Sequence, residues 1–309
     1  MYDQLIKQSF AEDIGDGDHS TLACIPPEAR GKSQLIIKEK GVLAGVEVAQ
    51  EVFKKFDNEL KTTVFIGDGA EVNPGDVAFV TEGKIQSLLQ TERLILNVMQ
   101  RMSGIATVTR QYTKELDGLH TCVLDTRKTT PGLRLLEKEA VRIGGGVNHR
   151  IGLYDMIMLK DNHIDFAGGI EKAIKKTHEY LKRTGKNLKI EIEVRNLDEL
   201  AEVLRVDRSL SAAEARPSAT LRERSAVAEC SLSEAERRSR SVDRIMFDNF
   251  DIPATKKAVE MVGGRYETES SGGITLDTLR AYAECGVDFI SVGALTHSVK
   301  SLDMSFKAV

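Results

Sequence analysis

From His120 onward the chain repeats one pattern: a short apolar run ending in a polar residue, then an amphipathic helical stretch. The candidate strands are Thr121–Asp125, Met156–Lys160, Lys189–Val194, Arg244–Asp248, Arg265–Glu269 and Phe289–Val292. Helical periodicity fills the gaps at Gly169–Arg183, Leu197–Leu204, Ile252–Val262 and Leu276–Glu284. Such alternation dictates parallel strands joined by right-handed crossovers. In a β/α barrel the carboxyl ends of the strands form one face, so Asp125, Lys160, Glu193, Asp248, Glu269 and Ser291 are expected to converge there. A doubly wound open sheet is the alternative, but no glycine fingerprint follows the first strand.

Between the first two strands the charge is lopsided. From Asp125 to Lys160, Arg127, Lys128, Arg134, Lys138, Arg142, Arg150 and Lys160 face only Asp125, Glu137, Glu139 and Asp155, in a chain whose formal charge is −4. A local cationic cluster in an acidic protein points to one anionic ligand rather than to general nucleic-acid affinity. Gly144-Gly145-Gly146, just before Asn148-His149-Arg150, allows close backbone approach or positive φ. Any one of these groups alone, His149 or His163 included, reads as an ordinary surface or hydrogen-bonded residue; their concentration is what carries the argument.

Two late strand ends look built for phosphate. Ser270-Ser271-Gly272-Gly273-Ile274 opens one helix, and Ser291-Val292-Gly293-Ala294-Leu295 opens the next. Small residues feeding helix N-termini offer backbone N–H groups to an anion. Glu191 and Glu193 share a strand face and Asp248 ends the following strand, so carboxylates opposite the cradle would hold Mg²⁺ on a substrate's phosphates. Pairing of these carboxylates with the Arg/Lys cluster is the competing use.

A length of 309 residues suits two domains, and the boundary is placed at 112/113. Before it come a helix at 2–12, then Asp13, Asp16 and Asp18 in a capped turn whose spacing does not fit a calcium loop. Strands interrupted by a helix at Glu47–Phe56 follow, and a long helix that Ser103-Gly104 breaks in two. Aromatics make up 5% with no Trp, which removes a stacking platform for single-stranded nucleic acid. Cys24, Cys122, Cys230 and Cys285 are widely spaced, as reduced thiols of a cytoplasmic protein would be. The start does not read as a signal peptide, and no apolar run is long enough for a membrane span.

Residues 206–241 break the rhythm. They are rich in Ser, Ala, Arg and Glu and are bracketed by Val206-Asp207-Arg208 and Val242-Asp243-Arg244. A flexible, solvent-exposed insertion, disordered or partly helical, is expected, since lengthening a loop costs little.

Taken in order, EDIGDGDHST, TERLILNVMQRMSGIAT, DTRKTTPGLRLLEKEAVRIGGGVNHR, LKDNHI, IEIEV, DNF, ESSGGI and SVGALTHS resemble the quinolinate phosphoribosyltransferases over nearly the whole chain. The insertion is the departure. The resemblance implies an α/β protein with an N-terminal open-faced α/β sandwich (1–112) followed by an incomplete α/β barrel (113–309). It implies transfer from 5-phosphoribosyl-1-pyrophosphate to quinolinate with Mg²⁺, in a homodimer with shared active sites. Quinolinate would meet Arg127, His149, Arg150 and Lys160, with Arg93 arriving from the neighbouring subunit. Lys128 would face the pyrophosphate, Glu193 and Asp248 the metal and ribose, and Ser271, Gly272, Gly273, Gly293 and His297 the 5-phosphate. Lys128, Lys160, Glu193 and Asp248 are the groups implied in catalysis; neither nucleic acid nor membrane is an expected partner.

Deleting residues 209–244 leaves one Val-Asp-Arg copy before Ile245. The expected outcome is a soluble protein with unchanged melting temperature and turnover; loss of soluble protein refutes the insertion.

Overall fold

The computed structural model describes residues 2–213 and 241–309. Most of the expected insertion therefore lies outside the described residues.

In chain order the elements of the first half are α1 (Asp3–Ile14), α2 (His19–Cys24), β1 (Arg30–Ile37), β2 (Gly41–Val42), α3 (Val46–Phe56), β3 (Lys61–Val64), β4 (Glu71–Val72), β5 (Val77–Lys84) and α4 (Ile85–Glu115). Then come β6 (Cys122–Leu124), α5 (Arg134–Ile143), β7 (Ile157–Leu159), α6 (Asp161–Ala167), α7 (Ile170–Thr184), β8 (Ile190–Val194) and α8 (Leu197–Ala213). Past the undescribed stretch lie β9 (Arg244–Asp248), α9 (Ile252–Val262), β10 (Glu267–Ser271), α10 (Leu276–Ala283), β11 (Phe289–Ser291), α11 (Ala294–His297) and β12 (Met304–Ala308). Two compact units result. One runs to Thr113 and adds Lys128–Asn148 and Gly293–Val309; the other comprises Lys114–Arg127 and His149–Val292.

The first unit is built on an antiparallel sheet in the order β12-β1-β5-β3. Leu35 and Ile37 of β1, Phe79 of β5 and Phe306 of β12 are buried with Phe53 of α3. The Phe53 ring stands 6.0 Å from Phe79, edge to face, and 6.1 Å from Phe306. That aromatic knot fixes α3 against one face of the sheet. β12 was not expected, although Met304 and Phe306 alternate with Ser305 and Lys307 as a half-buried strand should.

α4 corrects another expectation. Its 31 residues run without a break through Ser103-Gly104. Ser103 Oγ accepts from the Ala44 amide at 2.8 Å and donates to the Ala44 carbonyl at 3.1 Å. A Cβ at Gly104 would lie 2.2 Å from the Lys300 carbonyl oxygen. The small residues thus serve close packing inside a continuous helix, where a break had been read.

The second unit holds a six-stranded parallel sheet in the order β6-β11-β10-β9-β8-β7. From β7 to β11 spatial order follows chain order, and β6 then joins beside β11. A doubly wound sheet reverses direction part-way; this one never does. That cyclic order, with β6 and β7 as the unpaired edges among the described residues, is that of an incomplete α/β barrel. β10 ends at Ser271 rather than at Glu269 as expected, so Glu269 sits inside the strand, fully buried. α8 runs on to Ala213, beyond its expected end at Leu204.

Replacing Gly104 with Ala forces the α4 contact apart and should cost about 2–3 kcal/mol. Gly67→Ala, where a Cβ meets nothing within 4 Å, is the matched control and should leave the melting temperature nearly unchanged.

Candidate active site

β6 ends at Leu124, and the next residue, Asp125, is fully buried. Its carboxylate accepts the His149 amide at 2.8 Å, which ties the returning chain to that strand end. Arg150 follows, half-buried. Its guanidinium donates to the Met156 carbonyl at 3.3 Å and meets the Met158 sulfur at 3.5 Å. No carboxylate among the described residues lies within ion-pair distance of it. Burial first, and the Arg127 charge second, push the Arg150 pKa down. Two guanidiniums that oppose each other's charge are a ready receptor for a dianion.

Behind Arg150 lies a charged layer. His149 Nε2 is 3.0 Å from Glu191 of β8 and 3.5 Å from Glu269 of β10. Arg244 of β9 reaches Glu269 at 2.8 Å and Glu267 at 3.1 Å, and its guanidinium lies over the Phe289 ring at 3.9 Å. Burial lowers the His149 pKa, but contacts with Glu191 and Glu269 and their charges outweigh it and raise it to about 9. The Arg150 amide sits 2.7 Å from His149 Nδ1, a contact that suits the neutral ring. Two buried carboxylates at Nε2 are the stronger influence, because full charges act in a poorly screened interior. Burial and the Glu269 charge raise Glu191; Glu269 is lowered, since His149 and Arg244 overcome its burial. His149, Glu191 and Glu269 are also close enough together to hold a metal ion. Arg244 already supplies the cation at Glu269, so charge balance does not call for one.

Toward the mouth, Lys160 Nζ is 3.0 Å from Glu193 Oε2, so the competing use of that carboxylate is partly realised. Asp248 ends β9, half-buried, beside Ser271, its register partner on β10. Gly272 and Gly273 follow with φ of +103° and +62°, conformations that suit glycine. The second unit thus carries Arg127, His149, Arg150, Lys160, Glu193, Asp248, Ser271, Gly272 and Gly273 at or next to strand carboxyl ends. His163 proves structural: its Nδ1 accepts the Lys160 amide at 3.0 Å and opens α6.

The first unit carries the remainder. Lys128, Gly293 and His297 are together: a Cβ at Gly293 would lie 3.0 Å from the His297 ring and 3.2 Å from the Lys128 chain. Thr296 Oγ1 donates to the Lys128 carbonyl at 2.8 Å and secures the pairing. Arg93, on α4, is exposed and makes no hydrogen bond or ion pair among the described residues.

Other members of the cationic cluster serve the fold. Arg142 pairs with Glu139, and Arg134 donates to Thr129 Oγ1 at 3.0 Å. The triple glycine serves both uses the sequence allowed, with Gly145 at a φ of +98° and its two neighbours in close packing. A Cβ at Gly144 or Gly146 would strike Thr109 of α4 at 2.6 or 2.9 Å, so these residues let α5 end against α4. Glu269 and Arg244 were not singled out in the sequence as partners of His149. The available signal was charge at alternate positions of otherwise apolar strands.

The chain matches the quinolinate phosphoribosyl transferase C-terminal domain over residues 105–307 and the corresponding N-terminal domain over residues 18–103. It is 43% identical to a rice protein, nicotinate-nucleotide pyrophosphorylase (carboxylating), chloroplastic, across 98% of this chain and 76% of that one. Against the probable nicotinate-nucleotide pyrophosphorylase (carboxylating) of Bacillus subtilis the identity is 38%, across 98% and 91%. A crystal structure of nicotinate-nucleotide pyrophosphorylase from Ehrlichia chaffeensis superposes with a TM-score of 0.83 at 32% identity, covering 100% of this chain and 99% of that one. No helix among the described residues is long and apolar enough to cross a membrane.

Because its folded pKa is raised, His149 contributes stability that is fully present below 6.5 and lost as pH rises through about 9. Urea unfolding of wild type should therefore weaken across that window by on the order of 3 kcal/mol. His149→Gln should flatten the dependence.

Proposed function

The chain belongs to the quinolinate phosphoribosyl transferase family, and from that premise we propose that it joins quinolinate to 5-phosphoribosyl-1-pyrophosphate, yielding nicotinate mononucleotide, pyrophosphate and CO₂. The observation that carries this reading is Arg150, half-buried with the Arg127 charge nearby and no carboxylate within ion-pair distance among the described residues. A planar diacid would bring negative charge to Arg150, and guanidinium forks bind carboxylates bidentately.

The chemistry follows from charge. As the bond between the ribose anomeric carbon and pyrophosphate breaks, positive charge grows at that carbon and the pyridine nitrogen attacks it. Glu193 and Asp248 offer negative charge to the oxocarbenium-like centre, and Lys128 offers positive charge to the departing pyrophosphate. Lys160, held on Glu193 in the free protein, is suited to turn to a quinolinate carboxylate. Alkylation makes the ring nitrogen cationic; the adjacent carboxylate then leaves as CO₂, and a proton takes its place on the ring carbon. Ser271, Gly272 and Gly273 suit the 5-phosphate, and Lys128, Gly293 and His297 suit phosphoryl oxygens.

Glu193 and Asp248 are hard oxygen donors on adjacent strands, which fits Mg²⁺ held through water and the donor's phosphates. When bound, Mg²⁺ supplies charge neutralisation at the pyrophosphate. Arg93, exposed and unpaired among the described residues, supports a homodimer in which it completes the site of a second copy. The free thiols Cys24, Cys122 and Cys285 fit a cytoplasmic setting.

CO₂ release from carboxyl-labelled quinolinate should require the phosphoribosyl donor; release without it, or equal rates with nicotinate as acceptor, refutes the assignment. Arg150→Ala should raise the quinolinate KM by about 30-fold or more, the equivalent of roughly 2 kcal/mol, and leave the donor KM within about twofold. Mixing Arg93→Ala with Lys160→Ala protein should restore activity through mixed dimers. No recovery after demonstrated subunit exchange removes the shared site.

A further inference from the structure

Asn249 is the one non-glycine residue with positive φ among those described, at 56°. Glycine adopts that left-handed conformation without steric penalty, whereas a residue bearing Cβ pays for it, asparagine less than most. What the asparagine adds is visible on both sides. Its backbone amide donates to the Ser271 carbonyl at 2.8 Å, one residue past the Asp248–Ser271 register pair. Its side-chain Nδ2 donates to Asp248 Oδ2, also at 2.8 Å. Its Oδ1 lies against Gly272, where a Cβ would fall 2.2 Å from that oxygen and 2.7 Å from Cγ. Gly272 is therefore glycine for two reasons, its own φ of +103° and the space Asn249 fills.

Asn249 thus touches both parts of the strand-end machinery that the proposed function assigns to the donor: the ribose carboxylate Asp248 and the phosphate turn Ser271–Gly273. We infer that Asn249 is a positioning residue that locks Asp248 to that turn and thereby sets affinity for the ribose-phosphate end of the donor. A half-buried aspartate at a strand end has several rotamers open to it. The Nδ2 bond selects one, and the amide–carbonyl bond holds the turn at a fixed distance from it. This inference rests on the proposed function only for the name of the ligand; the lock itself is geometry within one unit.

The experiment compares wild type, Asn249→Gly and Asn249→Asp. Glycine preserves the backbone conformation and removes both side-chain contacts. Aspartate keeps the shape against Gly272 but cannot donate to Asp248 and brings a second negative charge beside it. Ribose 5-phosphate is the calorimetric probe, and both KM values are measured with labelled quinolinate. Asn249→Gly should weaken ribose 5-phosphate binding and raise the donor KM about tenfold, with the quinolinate KM within about twofold. Asn249→Asp should weaken both donor readouts further. A purely structural role would lower the melting temperature and move both KM values together; that result, or wild-type ribose 5-phosphate affinity in either variant, overturns the inference. Absence of CO₂ release by wild type sinks the proposed reaction instead, and the ribose 5-phosphate titration still decides the lock.

Discussion

The interior of the second unit depends on one charge arrangement. Glu191, Glu267 and Glu269 project from β8 and β10 around Arg244 of β9, and His149 closes the cluster from the chain that returns to the barrel. Water is excluded from all of them, so each carboxylate is tolerable only while its cations stay in place. Such a layer is no efficient source of stability, because desolvation consumes much of the Coulomb attraction. What it provides is definition. Arg244 meets Glu191 of β8 on one side and Glu267 and Glu269 of β10 on the other, which marks the register of three strands.

The same layer bears on Arg150 in front of it. Arg244 and His149 supply the positive charge nearest Glu191 and Glu269, and the Arg150 guanidinium donates to the Met156 carbonyl instead. Excess positive charge there is matched by compensated charge behind it. Arg150 rests on neutral partners, the Met156 carbonyl and the Met158 sulfur, whereas Lys160 must leave Glu193 before meeting an anion.

Much of this was legible because the physics is local. Strand–helix alternation fixed the parallel class, and the polar residues expected at strand ends include Lys160, Glu193 and Asp248, all found there. What failed was whatever depends on a distant partner. Gly104 reads as a break until the Lys300 backbone is placed against it, and what Gly144 and Gly146 approach closely is Thr109 of α4, which their own stretch of sequence does not reveal. Glu269 reads as a strand terminus because the two serines after it look like turn residues, yet they continue β10. Arg244 shows only as a charge on an otherwise apolar strand, and its meaning needs the three carboxylates that β8 and β10 bring to it. β12 was passed over because its partner, β1, lies at the other end of the sequence.

The missing seam of the six-stranded ring has a mechanical consequence. β6 and β7 are its two free edges, each three residues long, and the chain beyond them leads to Arg127 on one side and Lys160 on the other. In a closed barrel, spreading those two strands would break a row of backbone hydrogen bonds. Here no ladder joins them among the described residues, so the segments bearing Arg127 and Lys160 are each anchored to a single neighbouring strand, β11 or β8.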